Sequence, residues 1–152
     1  MTKKFSLTKP RLFGGAAVFA LLLAGCGSTV AIDLQTGDCL QLPEDYDLQG
    51  GFEMTSVNTT KCSEPHDAQV IGQEELQYAE FPGLDVIQED AAAFCSAAFE
   101  EFVGTPLAES QLDVFPLSPT EDSWNKAEDR TLLCIAVNTT SQVSDTFKNS
   151  GR

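Results

Sequence analysis

The sequence predicts an α+β fold in which one main amphipathic helix packs on a small antiparallel sheet cross-linked by two disulfides. Between Asp85 and Gly104, apolar residues recur every three or four positions, which is the period of a helix. Short stretches rich in β-branched residues lie on both sides of that segment, as strands do. Four of the five cysteines are spread over the same part of the 152-residue chain. The chain is long enough for one domain with a core.

The chain opens with a predicted secretion signal. Four basic residues precede an uncharged run of 14 residues from Leu12 to Gly25, shorter than the roughly 20 apolar residues that span a bilayer core. Leu23-Ala24-Gly25-Cys26 resembles the lipobox of bacterial lipoprotein precursors. The resemblance implies that the Cys26 thiol carries a diacylglyceryl group with palmitate-type chains and that Cys26 becomes the mature N-terminus. An ordinary secreted protein with a coincidental cysteine is the alternative.

The charge of the mature chain is strongly acidic. Four of the nine basic residues lie in the leader, so five oppose all 23 acidic ones afterwards. Such a surface repels phosphate backbones and anionic lipid, which argues against nucleic-acid binding and polybasic membrane attachment. Membrane contact is therefore expected only through the lipid on Cys26, at the extracytoplasmic face of the cell membrane.

The chain divides into four predicted parts. Residues 1–25 form the signal peptide, 26–36 the lipid anchor and tether, 37–140 the folded domain, and 141–152 a polar, loose C-terminal tail. Composition and alternation predict strands over residues 38–42, 52–62, 68–76, 112–117 and 131–138. The last strand is apolar on both faces, which is typical of a central position.

The helix is predicted from Asp85 to Gly104. Asp85 is placed to cap its first turn, with Gln88 completing a capping box, and Gly104 ends it. Its predicted buried stripe consists of Ile87, Ala91, Phe94, Cys95, Ala98 and Phe102.

Cys39, Cys62, Cys95 and Cys134 form an even set that allows three disulfide connectivities. Their gaps of 23, 33 and 39 residues lack the paired spacing of a zinc site, so we expect no metal and no cofactor. Cys95 lies on the helix stripe, and Cys134 is on the strand face that can meet a helix. This favours Cys95 with Cys134 and leaves Cys39 with Cys62.

Several short motifs lie between Gly37 and Val137. They are Gly37-Asp38-Cys39, then Cys62-Ser63-Glu64-Pro65-His66-Asp67-Ala68, Phe81-Pro82-Gly83, Phe102-Val103-Gly104, Trp124 and Asp129-Arg130. Together they resemble the septum-formation domain family of actinobacterial membrane proteins and lipoproteins. The resemblance implies a link to division or envelope growth. Glu128 stands where the family usually has a glycine.

Two groups of residues are candidate sites. His66 is the only histidine, and Ser63, Glu64 and Asp67 are its neighbours in sequence, but no catalytic motif accompanies them. We expect its imidazole to bond backbone groups in a turn.

The second group, Trp124 with Lys126 and Arg130, is a candidate recognition loop. The alternative is a tryptophan that covers the core, with Arg130 paired to Asp129 or Glu128.

These observations favour a non-catalytic, membrane-tethered binding or scaffold domain of the cell envelope. Its partner would be an envelope protein or a cell-wall component. The alternative is an envelope hydrolase or transferase that uses His66 and a nearby carboxylate.

Overall fold

A computed structural model describes residues 28–29, 33–43 and 57–152. These described residues form a six-stranded sheet and two α-helices, in the order β1 (Ser28–Thr29), β2 (Cys39–Gln41), β3 (Val57–Thr60), β4 (Ala68–Glu75), α1 (Leu84–Val103), β5 (Asp113–Leu117), α2 (Glu121–Lys126) and β6 (Thr131–Val137). The strand order is β1-β3-β2-β4-β6-β5, and every neighbouring pair is antiparallel. The predicted α+β fold is confirmed. The predicted lipidation site, Cys26, lies outside the described residues.

The last strand, β6, occupies the interior of the sheet between β4 and β5. Leu133, Ile135 and Val137 point to one apolar cluster, whereas Cys134 and Ala136 belong to the cluster that packs against α1. The prediction of a central strand with two buried faces is therefore confirmed.

Helix α1 begins one residue earlier than predicted, and its cap is a glycine. Gly83 precedes the helix with φ 98°, and no side chain caps the first turn. Asp85 lies inside that turn, so the predicted capping box of Asp85 and Gln88 is wrong. The positive φ of Gly83, which glycine adopts without strain, leads the chain directly into the helix. At the other end Gly104 has φ 87° and donates its N–H to the Glu100 carbonyl at 3.0 Å, as predicted.

The buried stripe of α1 is narrower than predicted. Ile87, Ala91, Cys95, Phe99 and Val103 are buried at intervals of four residues. Phe94, Ala98 and Phe102, which were also assigned to the core, are only half-buried. They border the β4 side of the helix instead.

Both predicted disulfides are present. Cys39 and Cys62 link β2 to the turn after β3, with 5.3 Å between their Cα atoms. Cys95 and Cys134 link α1 to β6 at the same separation. The second bridge fixes the helix to β6, an interior strand of the sheet.

The C-terminal segment 141–152 is packed, so the expectation of a loose tail is wrong. Phe147 is fully buried in the cluster beneath α1. Asn149 and Gly151 donate their N–H groups to carbonyls at the end of α1, at 2.8 and 2.9 Å. One aromatic side chain and these backbone bonds hold a segment whose polar composition gave no sign of burial.

Arg152 completes this packing at the end of the segment. Its guanidinium carbon lies 5.9 Å from the centre of the Phe147 ring, and its Nη2 lies 2.5 Å from Asp145. The hydrogen bond from Arg152 lowers the pKa of Asp145 below its usual value.

Candidate functional site

A groove runs between α1 and β4. It contains two adjoining cavities of about 630 and 550 Å³, and the half-buried Phe94 ring lines both of them. The larger cavity borders the first half of α1, and the smaller one borders its second half. A concave surface of this size is the kind of place where proteins bind ligands or partner segments.

The groove is set by a glycine in β4. The pairing of β4 with β6 shifts register between Val70 and Gly72, which is a β-bulge. A Cβ atom on Gly72 would lie 2.8 Å from the Ala98 Cβ and 3.2 Å from the Phe94 ring. Helix α1 can approach the strand this closely only because Gly72 has no side chain.

One end of the groove is acidic. Glu74, Glu75 and Asp90 line the larger cavity together with Tyr78. The Tyr78 hydroxyl donates to the Asp90 carboxylate at 2.8 Å. That hydrogen bond, with smaller contributions from desolvation and the Asp90 charge, raises the pKa of Tyr78 above 10.0.

The other end mixes apolar and polar groups. Ile71, Ala98 and Phe102 supply apolar surface to the smaller cavity, while Glu101 and Lys148 bring opposite charges. This end is therefore less acidic than the first.

Gln69 ties together the three segments that surround the smaller cavity. It is only 2% exposed, and its amide nitrogen donates to the Gly37 carbonyl at 2.9 Å. Its amide oxygen accepts from the Phe147 N–H at 2.7 Å and from the Thr146 hydroxyl at 3.1 Å. No sequence motif predicted a role for Gln69. A lone polar residue in the apolar run Ala68–Ile71 was the available signal, because a buried amide requires partners.

His66 lies outside both cavities and is fully buried. Its backbone N–H and carbonyl pair with Val143 at 2.9 and 2.8 Å, and its Nδ1 lies 2.8 Å from the Glu64 carbonyl. Within the described residues its Nε2 has no hydrogen-bond partner. The imidazole is thus bonded to backbone beside the C-terminal segment.

The three polar side chains that neighbour His66 in sequence do not gather around its ring. Ser63 and Glu64 have exposed side chains. Asp67 accepts a hydrogen bond from the Leu42 N–H at 2.8 Å. The described structure contains no group of three or more His, Cys, Asp or Glu residues arranged to hold a metal ion.

The sequence model of the septum-formation family matches residues 36–152. The chain belongs to the septum-formation family. The matched range includes both disulfides, α1 and the C-terminal segment, and it links the chain to septum formation. Searches of curated proteins and of solved structures find no match.

In this septum-formation domain, Trp124 is buried in the core and only 2% exposed. The Phe81 ring meets it edge-on, with centroids 5.7 Å apart. The Arg130 guanidinium stacks 3.7 Å above the ring centre and donates to the carbonyls of Trp124 and Asp129. Arg130 therefore bonds carbonyl oxygens where the sequence suggested a carboxylate.

Lys126 points away from Trp124 and Arg130, which are stacked on each other. Its ammonium lies 2.5 Å from the Asp122 carboxylate on the exposed side of α2. The structure thus brings only two of the three residues of the candidate recognition loop together, and it buries the tryptophan that a partner would contact.

The loop after α2 keeps a left-handed turn although the septum-formation family's usual glycine is Glu128 here. Glu128 has φ 54°, a conformation that glycine adopts more readily. Helix α2 itself was not predicted. It begins with a capping box in which the Thr120 and Ser123 side chains bond each other's backbone N–H groups.

In the described part of the chain, no helix combines the length and apolar character needed to cross a bilayer.

Proposed function

We propose that this protein is a lipid-anchored, non-catalytic binding domain at the extracytoplasmic face of the cell membrane, which holds an envelope partner during septum formation. The observation that carries the proposal is the groove between α1 and β4 in a domain of the septum-formation family. The groove is built on an element fixed by a disulfide, so its shape is preorganised for a partner.

The N-terminal sequence supports the lipid anchor. A basic start, a short apolar run and Leu23-Ala24-Gly25-Cys26 are the features of a lipoprotein leader. Two acyl chains on Cys26 would confine the domain to the membrane surface. The partner would then be a protein or cell-wall component within reach of that surface.

The surroundings of His66 support a role without catalysis. A general base must reach a substrate, whereas this imidazole is fully buried and lies outside both cavities. The alternative, a hydrolase or transferase using His66, requires the imidazole to reach a substrate.

The experiment is complementation of a strain depleted of the protein, scored by septum placement and by the amount of protein in the membrane. Ala93 is exposed and lines the larger cavity, whereas its exposed neighbour Ala92 does not. Ala93→Arg should leave the protein level unchanged but fail to restore septation, and Ala92→Arg should restore it. If Ala93→Arg also restores septation, the groove is not the working surface.

Two further variants test the anchor and the lack of catalysis. Cys26→Ala should release the protein from the membrane, and intact-mass analysis of the protein with its natural sequence should show a diacylglyceryl adduct at Cys26. His66→Gln keeps a hydrogen-bond donor but cannot titrate near neutral pH. It should restore septation, and a stable but inactive His66→Gln protein would favour the enzyme instead.

A further inference from the structure

We propose that the occupant of the groove is an extended, lysine- or arginine-containing segment of a partner protein, which adds as a strand to the open edge of β4. This inference rests on the proposed function, because it names the class of ligand that the same groove would bind. Three features support it: the hydrogen-bonding direction of β4, the surface beside it and the charge of the groove.

Strand β4 is longer than its partner on one side. It has eight residues, but β2 pairs only with Ala68 and Gln69. The segment before β2 adds two bonds at Val70, where the Gly37 N–H donates to its carbonyl and the Asp38 carbonyl accepts from its N–H. Beyond Val70, no strand of the described chain pairs with β4 on this side.

The backbone groups that face this open side belong to Gln73 and Glu75. The Leu76 N–H donates to the Arg130 carbonyl at 2.9 Å, towards the β6 side. In an antiparallel ladder, the backbone N–H and carbonyl groups of every second residue face the same neighbouring strand. The backbone groups of Gly72 and Glu74 therefore also face β6. Gln73 and Glu75 consequently direct their N–H and carbonyl groups away from β6.

A side chain already forms a hydrogen bond with one of these backbone groups. The Gln77 side-chain amide donates to the Glu75 carbonyl at 2.9 Å on the protein surface. This bond provides a donor that a neighbouring strand would otherwise supply. Because it is exposed, an incoming strand can replace it at little cost.

The two cavities lie on the open side of β4. Thr36 and Gly37, which precede β2, border the smaller cavity together with Gln73. An added strand would therefore place alternate side chains against Phe94 and Ala98, which face the groove. Backbone bonds would supply affinity, and these contacts would supply selectivity.

The charge of the groove selects a basic segment. Glu74, Glu75 and Asp90 line the larger cavity, and Glu101 lines the smaller one, where Lys148 is the basic lining residue. A second copy of the mature chain, with five basic and 23 acidic residues, would bring like charge to this surface, which disfavours self-association. Acidic residues on a strand edge also protect it from aggregation, and that protective role alone would predict no binding of any added strand.

The test uses the purified lipoprotein in detergent and three fluorescent peptides of about seven residues, a length typical of strands. The first alternates lysine and valine. The second replaces lysine with glutamate. The third keeps lysine and valine but carries N-methyl groups on the alternate amides that would pair with β4. Fluorescence anisotropy measures binding, and hydrogen exchange measures protection of the Gln73 and Glu75 amides.

The lysine peptide should bind and should slow exchange at Gln73 and Glu75. The N-methylated peptide should bind at least about tenfold more weakly than the lysine peptide, because two hydrogen-bond donors are lost. The glutamate peptide should not bind. Equal affinity of the first and third peptides, or unchanged exchange at Gln73 and Glu75, would overturn strand addition.

Protein variants provide a second measurement. The double variant with Glu74→Lys and Glu75→Lys should bind the lysine peptide about tenfold more weakly than the natural protein. Glu109→Lys with Glu121→Lys, two exposed changes away from both cavities that alter the net charge by the same amount, is the matched control and should bind the peptide normally. Equal binding by the double variant and the control would refute the role of charge. These variants retain the backbone, so the result does not depend on a proline substitution that could unfold the sheet.

Failure of this inference and failure of the proposed function give different results. If no peptide binds while Ala93→Arg still prevents septation, the groove is the working surface and its occupant is not a basic strand. If the lysine peptide binds but Ala93→Arg restores septation, strand addition occurs without serving septum formation.

Discussion

Replacing Gly72 with alanine tests how closely α1 lies on β4. The added methyl carbon would stand 2.8 Å from the Ala98 Cβ and 3.2 Å from the Phe94 Cζ. Carbon atoms in contact prefer separations of about 3.5 to 4.0 Å, so the helix must retreat by about 0.7 Å or more at Ala98. The Phe94 ring tip can rotate away, but Ala98 has no flexible atoms.

The expected loss of stability combines two opposing effects. Overpacking a well-filled core costs about 1 to 3 kcal/mol. Alanine restricts the unfolded chain more than glycine does, which offsets about 0.4 to 1 kcal/mol. We therefore expect Gly72→Ala to lower the free energy of unfolding by about 1 to 2 kcal/mol.

A double-mutant cycle identifies the contact responsible. Ala98→Gly removes the opposing methyl group but costs about 1 kcal/mol of helix propensity on its own. Ala97→Gly, at the exposed neighbouring position, carries a similar propensity cost without relieving the contact. In the Gly72→Ala background, Ala98→Gly should therefore be much less costly than Ala97→Gly.

The assay is urea unfolding of the oxidised protein. The slope of the unfolding free energy against urea concentration should be the same for all variants, which shows that they expose the same amount of surface on unfolding. Additive effects of Gly72→Ala and Ala98→Gly would show that the two positions do not interact. A Gly72→Ala protein as stable as the natural one would refute the close approach of helix and strand.

Three other changes test features outside this contact. Replacing Cys95 and Cys134 with alanine opens a 39-residue loop and should cost about 4 kcal/mol in urea unfolding, while non-reducing peptide mapping still finds the other disulfide; unchanged stability would contradict this. Glu128→Gly should raise the unfolding free energy by about 0.5 to 1 kcal/mol, because glycine adopts the left-handed turn without strain, and a loss would argue against that strain. Asp90→Asn should lower the pKa of Tyr78 in a tyrosinate absorbance titration, because the hydrogen bond to the charged carboxylate is removed. In the natural protein this bond stabilises the fold fully below pH 10.0, and the effect is lost as pH rises through the raised pKa of Tyr78.

The sequence predicted the helix and strands whose apolar residues recur at regular intervals. The two buried faces of β6 follow from alternation of its apolar residues, and the burial of Ile87, Ala91 and Cys95 on α1 follows from their spacing of four. Cys95 and Cys134 could be paired because each lay on a face already assigned to the core. Local pattern was sufficient for these elements.

Features that depend on distant partners were not predictable in this way. Phe147 is a lone aromatic in a polar segment, and its burial depends on the Gln69 amide 78 residues earlier. The groove arises because Gly72 lies in a bulge beneath α1, and register shifts leave no periodic signal. Tryptophan is a residue type common in recognition loops, but Trp124 packs against Arg130 and Phe81 and is buried in the core.

The packing of the C-terminal segment also sets an order of events during synthesis. The chain is made from its N-terminus, so Phe147 emerges after all six strands. Until then the Gln69 side-chain oxygen lacks its bonds to Thr146 and Phe147, and the His66 backbone lacks its bonds to Val143. A nascent chain that already holds every strand is consequently missing its final set of buried bonds.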